Sequence, residues 1–130
     1  MKTPKSQPLG ERELDIMQAL WRLGAATVAE AHAEIVAAGN DVAYTTVQTM
    51  LNRLEAKGLV ARDNSDRAHR YRPLLKRPAV VGGAIQRLAS RFFEGSKEAL
   101  AIHLLEKDLS REQLERIRSI IEERRAGRRS

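Results

Sequence analysis

The chain has 130 residues, of which 42% are hydrophobic and 31% charged; 23 Lys and Arg stand against 17 Asp and Glu, a formal net charge of +6. That charged fraction and the short apolar runs exclude a membrane span of ~20 residues, and the absence of cysteine excludes disulfides, thiol catalysis and cysteine-ligated metal or iron–sulfur sites. Ala and Leu dominate the apolar residues and only five aromatics are present, so a mainly helical core is expected. The polar opening from Met1 to Gly10 has no apolar h-region, so no secretory leader is expected and the chain reads as cytoplasmic.

A first helix is predicted from Glu11 to Leu23, on Leu14, Met17, Leu20 and Trp21, with Gly24 as its stop. Thr27-x-x-Glu30 is a capping box for a second helix that buries Val28, Ala31 and Ile35 and ends at Gly39; residues 25–28 can add one short strand. A third helix fits Tyr44 to Lys57, with Val47, Met50, Leu51 and Leu54 on one face and Gly58 closing it. Leu59 to Asp63 and Ala68 to Pro73 read as two strands joined by the turn formers Asn64, Ser65, Asp66 and Arg67. Beyond Lys76 only helices are predicted. A fourth opens at Pro78 and carries Val81, Ile85, Leu88 and Phe92 as its apolar row, weakened by Gly82 and Gly83, which either allow close backbone contact or delay its start. A fifth runs around Lys97 to Glu106. A sixth starts at the capping box Ser110-x-x-Gln113 and turns Leu114, Ile117, Ile120 and Ile121 inward, leaving Arg124 to Ser130 as a basic, frayed tail.

Three short helices followed by a hairpin is the order of a winged helix-turn-helix, so the expected fold is mainly α with a small β-hairpin wing, residues 1–76 forming the winged module and 77–130 a three-helix region. In that architecture the third helix, about 44–57, enters the DNA major groove and the wing, 59–73, lies on the backbone or minor groove. With Val47 at 0° and 100° per residue, the apolar residues fall within about 60° of it. Thr45, Thr49, Asn52 and Ala56 lie opposite, flanked by Thr46, Gln48 and Arg53, and only Glu55 brings acid to the margin of that face. Hydroxyls, amides and a guanidinium match base edges and phosphates. A helix tuned for stability alone would favour Glu, Lys and Gln over three threonines. Charge is concentrated in the same region: eight Lys and Arg between Arg53 and Arg77 face Glu55, Asp63 and Asp66, leaving +5 of the chain's +6. Arg62, Arg67, Arg70 and Arg72 are the wing candidates, though strand alternation lets only one face meet DNA.

Leu9 to Trp21, the Tyr-Thr-Thr-Val block within Ala43 to Val60, and Arg67 to Pro73 with its Arg-Tyr-x-Pro ending resemble the penicillinase-repressor family, which includes methicillin-resistance regulators. The resemblance implies a homodimeric transcriptional repressor on a double-stranded DNA operator, in which Thr45, Thr46, Thr49 and Arg53 read or clamp DNA; Gln48 and Asn52 are added by the helical geometry. It also implies dimerisation through the C-terminal helices. A segment of that size is too short to bury much apolar surface alone, so Leu88, Phe92, Leu100, Leu104, Leu114, Ile117 and Ile121 are assigned to the dimer interface. A two-fold dimer would set two recognition helices one DNA turn apart, ~34 Å or a multiple, on an inverted repeat. In the better-known branch of the family a membrane-bound sensor protease cuts an Asn-Phe bond in the dimerisation region; here the aligned pair is His103-Leu104, a departure from that pattern.

His32, His69 and His103 lie on three different elements without i,i+4 pairing, so no metal and no cofactor are expected. His32 reads as a packed residue, His69 as a backbone or phosphate contact and His103 as part of the interface. No phosphate loop, nucleophile elbow or zinc-protease motif is present, so an enzyme is not expected. Two alternatives share the fold: a protein-interaction module whose wing meets an acidic protein, and an activator or ligand-responsive regulator.

Overall fold

The computed structural model describes residues 9–65 and 67–127. The polar opening through Pro8, Asp66 of the hairpin turn and residues 128–130 of the basic tail lie outside the described residues. In chain order the elements are α1 (Glu11–Leu23), α2 (Val28–Ala37), α3 (Tyr44–Ala56), β1 (Val60–Asp63), β2 (Arg70–Pro73), α4 (Arg77–Phe92), α5 (Lys97–Lys107) and α6 (Arg111–Arg125). The chain divides into two compact units, one reaching to Ala84 and one starting at Ile85, with the division inside α4.

The first unit is built on a single core. Ile16, Met17 and Leu20 of α1, Ala31 and Ile35 of α2, and Val47, Leu51 and Leu54 of α3 are buried together with Leu59, Val60, Tyr71 and Leu75. Local chemistry sets the helix boundaries. At α2 the Thr27 Oγ1 accepts from the Glu30 N–H at 3.1 Å while the Glu30 carboxylate accepts from the Thr27 N–H at 2.9 Å, the predicted capping box. At the end of α3, Gly58 adopts φ 78°. The Leu59 N–H donates to Leu54 O at 3.0 Å and the Gly58 N–H to Glu55 O at 2.9 Å. This pattern needs a left-handed residue at Gly58 and turns Leu59 back onto the core beside Leu54. The start of the hairpin is fixed by that turn.

β1 and β2 pair antiparallel, with Val60 opposite Pro73, Ala61 opposite Arg72, Arg62 opposite Tyr71 and Asp63 opposite Arg70. The predicted short strand at 25–28 is present as one bridge: Ala26 N–H donates to Tyr71 O at 2.9 Å and Tyr71 N–H to Ala26 O at 2.8 Å. The hairpin is therefore sewn to the segment between α1 and α2 as well as to α3.

The second unit is helical. Ser96 Oγ accepts from the Ala99 N–H at 3.0 Å to open α5, and Ser110 with Gln113 forms the predicted capping box of α6. Within it the Phe93 and His103 rings lie 5.8 Å apart at 58°. Among its described residues only Ala89 is buried.

Several expectations need correction. Arg77 precedes Pro78 in α4, which runs unbroken through Gly82 and Gly83, so the late start does not hold; at Gly82 a Cβ would meet nothing within 4 Å, so no close backbone approach holds at that position. The α4 row Val81, Ile85, Leu88 and Phe92, of which Leu88 and Phe92 are assigned to a dimer interface, is exposed in this chain, Phe92 to 71%, and Val80 and Ala89 are the buried residues of α4. Leu114, Ile120 and Ile121 are likewise exposed and Ile117 is half-buried, not inward. Among the described residues these apolar faces stay largely exposed. α6 continues to Arg125 with Ala126 as its cap, so the first residues of the expected frayed tail are helical.

Candidate nucleic-acid interface

On α3 the apolar residues Val47, Leu51 and Leu54 are buried, while Thr45, Thr46, Gln48, Thr49, Asn52 and Arg53 are all exposed. The geometry brings these six onto one solvent-facing surface with an open recess on each side. Thr45, Thr46, Thr49 and Arg53, with Met50, line one of about 270 Å³. The other, about 360 Å³, runs between α3 and the hairpin and is lined by Tyr44, Gln48, Asn52, Arg62, His69 and Tyr71 together with the first residues of α2.

The amino end of α3 differs from those of its neighbours. Ala43 at the N-cap provides no side-chain acceptor, and no acidic residue occupies the first turn, whereas α1 and α2 carry glutamates there. First-turn N–H groups with no acid nearby leave positive potential toward solvent, which favours an approaching anion.

The hairpin sorts its arginines by face, because residues opposite one another in an antiparallel pair project to the same side. Arg62 shares the inner face with Tyr71 and reaches Glu55 of α3 at 3.6 Å. Arg70 and Arg72 occupy the outer face. Arg70 is held at 2.8 Å by Glu30, the capping carboxylate of α2, which the Thr27 N–H in turn keeps below the ordinary carboxylate range. Arg53 and Arg72 make no salt bridge among the described residues. Arg67 sits at the exposed turn. The basic region is thus partly neutralised from within, a feature that counting charges along the chain does not reveal.

Two contacts that carry the site were missed by sequence reasoning. Glu13 in the first turn of α1 is only 7% exposed and accepts from Lys57 Nζ at 2.6 Å and from the Gly10 N–H at 3.0 Å; the Lys57 ammonium holds its carboxyl below the ordinary range against the opposing effect of burial. Lys57 caps the carboxyl end of α3, so this pair fastens that end to α1. Second, the Tyr71 hydroxyl donates to Asn52 Oδ1 at 3.1 Å. Neither pair leaves a local pattern, since the partners are 44 and 19 residues apart.

His32 shares a 2.8 Å hydrogen bond with Val42 O and packs edge-on to Tyr44, its role being local packing. His69 is exposed at the hairpin recess, and His103 and Leu104 are exposed inside α5. Leu88, Phe92, Leu104, Leu114 and Ile121 are exposed, with Leu100 and Ile117 half-buried. No helix among the described residues is long and apolar enough to cross a membrane.

The comparisons with known proteins agree with this architecture. The chain is 38% identical over 121 residues to the transcriptional regulator BlaI of Mycobacterium tuberculosis, covering 92% of this chain and 86% of that one. It is 26% identical over 120 residues to the penicillinase repressor of Bacillus licheniformis, covering 92% and 93%. The structure of a MarR family protein from Bacillus stearothermophilus superposes with a TM-score of 0.50 at 20% identity, covering 95% of this chain and 78% of that one, a likeness of fold. The penicillinase repressor family matches residues 9–123. With its winged helix, its acid-poor third helix and that match along nearly its whole length, the chain belongs to the penicillinase repressor family of transcriptional regulators.

Proposed function

We propose that this chain is a homodimeric repressor that binds an inverted-repeat operator in double-stranded DNA, with α3 in the major groove and the hairpin on the backbone, acting in the cytoplasm. The observation that carries the reading is the outward face of α3: three threonines, two amides and an arginine, all exposed, on a helix whose first turn has neither acid nor side-chain cap. These groups can donate to phosphates at the amino end and meet base edges further along. Arg72 and Arg53, which make no salt bridge among the described residues, supply cations for phosphates.

The exposed apolar rows of α4, α5 and α6 support dimerisation. A second copy is the occupant they fit, because the same rows on a twin give a self-complementary two-fold surface. A membrane-bound sensor protease is the partner proposed for release. Cutting between His103 and Leu104 would require α5 to unwind, because both lie in its interior.

The test is selection of bound duplexes from random DNA, followed by affinity measurements across a salt series. An enriched inverted repeat is expected, with half-sites about one turn apart or a multiple, and log affinity falling about 0.9 per neutralised phosphate per log unit of salt. A non-palindromic, unenriched pool overturns the operator reading and leaves the hairpin free to meet an acidic protein.

A further inference from the structure

We infer that Tyr71 is a positioning residue that holds the side-chain amide of Asn52 in one orientation, so that Asn52 leads with its Nδ2 donor arm toward DNA. This inference rests on the DNA-binding reading proposed above and sharpens the chemistry of one of its contacts. Tyr71 has little freedom to move. Its backbone is bonded on one side to Ala26, at 2.9 and 2.8 Å, and on the other it stands opposite Arg62 in the hairpin. The residue is 3% exposed. The hydroxyl at the end of that fixed ring donates to Asn52 Oδ1 at 3.1 Å, and no other acceptor is bonded to it among the described residues.

A side-chain amide is planar and carries its acceptor and its two donors on opposite arms. With Oδ1 engaged by the hairpin, the Nδ2 arm is the one left for the recess between α3 and the hairpin, which Asn52 lines beside Gln48 and Arg62. The familiar two-point contact of asparagine with adenine needs Oδ1 on N6 and Nδ2 on N7 at once, both arms turned to the base. Oδ1 keeps a second lone pair, but Tyr71 holds that arm toward the hairpin, which disfavours adenine and, by the same orientation, the N4 donor of cytosine. The base edge that suits an amide leading with its donor arm is guanine, with acceptors at both N7 and O6. Gln48, one turn earlier on α3, makes no side-chain hydrogen bond among the described residues and keeps both halves of its amide. The two amides of the reading face therefore ask different questions of the groove.

The experiment selects bound duplexes from random DNA with the full chain and with the variants Tyr71→Phe, Asn52→Ala and Asn52→Asp, then measures affinity for the selected site with each base pair replaced in turn. Tyr71→Phe keeps the ring and removes the hydroxyl. It is expected to lower the preference for guanine over adenine about fivefold, the worth of one hydrogen bond, at one base pair per half-site, with the others unchanged. Asn52→Ala should abolish preference at that same base pair. Asn52→Asp, on an exposed helix position, puts an acceptor where the donor was and should move the preference to cytosine or adenine, which keeps the test open if Tyr71→Phe folds poorly. A folded Tyr71→Phe that weakens every sequence alike, or that leaves the base profile unchanged, overturns the inference, as does an Asn52→Asp profile still led by guanine. A wild-type selection with no enriched sequence overturns the DNA-binding reading itself. An enriched site that Tyr71→Phe and Asn52→Asp leave unaltered overturns this inference alone.

Discussion

Glu13 ties the carboxyl end of α3 to α1 through Lys57. Burying a carboxylate is costly unless its charge is matched, and here Lys57 at 2.6 Å and the Gly10 N–H at 3.0 Å match it. Because the folded protein holds this carboxyl below its ordinary value near 4.5, the pair contributes stability that is fully present above that value and is lost as the pH falls through the folded one. Glu13→Gln should cost about 1–2 kcal/mol at pH 7 in urea unfolding, a figure reduced for the partial exposure of Lys57. The gap between variant and wild type should narrow as the pH falls below about 4.5, since the wild type then loses the same charge. A gap that stays constant with pH would remove the ion pair as its source. In the sequence, Glu13 reads as an ordinary first-turn acid and Lys57 as one more cation of the basic region. Their meeting is a property of tertiary packing, which no local spacing encodes.

At the scale of elements, much of the first unit is legible because its boundaries are set by local chemistry. Thr27 with Glu30 and Gly58 with Leu59 act within a few residues, as Ser110 with Gln113 does in the second unit, and the structure shows each of them at work. The outward face of α3 is legible for a similar reason, since 100° per residue separates it from Val47, Leu51 and Leu54. What the hairpin does with its arginines is not, because Glu30 and Glu55 reach them from other elements. This division yields contrasting expectations. Thr49→Ala or Arg53→Ala should cost ~1–3 kcal/mol of operator binding and relax base preference. Arg72→Ala should instead weaken all sequences alike and lower the salt slope by about 1; titrations on operator and random duplexes at several salt concentrations separate the two. In α4, Gly82 sits in helical backbone with open space where a Cβ would go. Gly82→Ala should therefore raise unfolding stability by ~0.5–1 kcal/mol, and a loss of stability in the same assay would point to a close neighbour there in the assembled protein.

For the molecule as a whole, periodicity identifies apolar faces but does not say what covers them. Val81, Ile85, Leu88 and Phe92 share a face, as do Leu114, Ile117 and Ile121, yet among the described residues these faces stay exposed or half-buried. The contrast between the units is sharp: the first buries Ile16, Met17, Leu20, Leu51, Leu54 and Leu59 almost completely, whereas Ala89 is the only buried residue described in the second. On the dimeric reading, the thermal midpoint of the chain should depend on its concentration, with apparent stability falling ~1.4 kcal/mol for each tenfold dilution. Ile121→Asp should abolish that dependence, and calorimetry over a dilution series would show it; a midpoint that never moves would remove the dimer.

The bare helical faces then have a consequence for regulation as well as for folding. On the dimeric reading, a repressor whose C-terminal half is completed by its twin has an operator occupancy that follows the square of its copy number when dimers are scarce. Repression by such a protein would lift abruptly as the cell dilutes or degrades it, with no effector required to make the response steep.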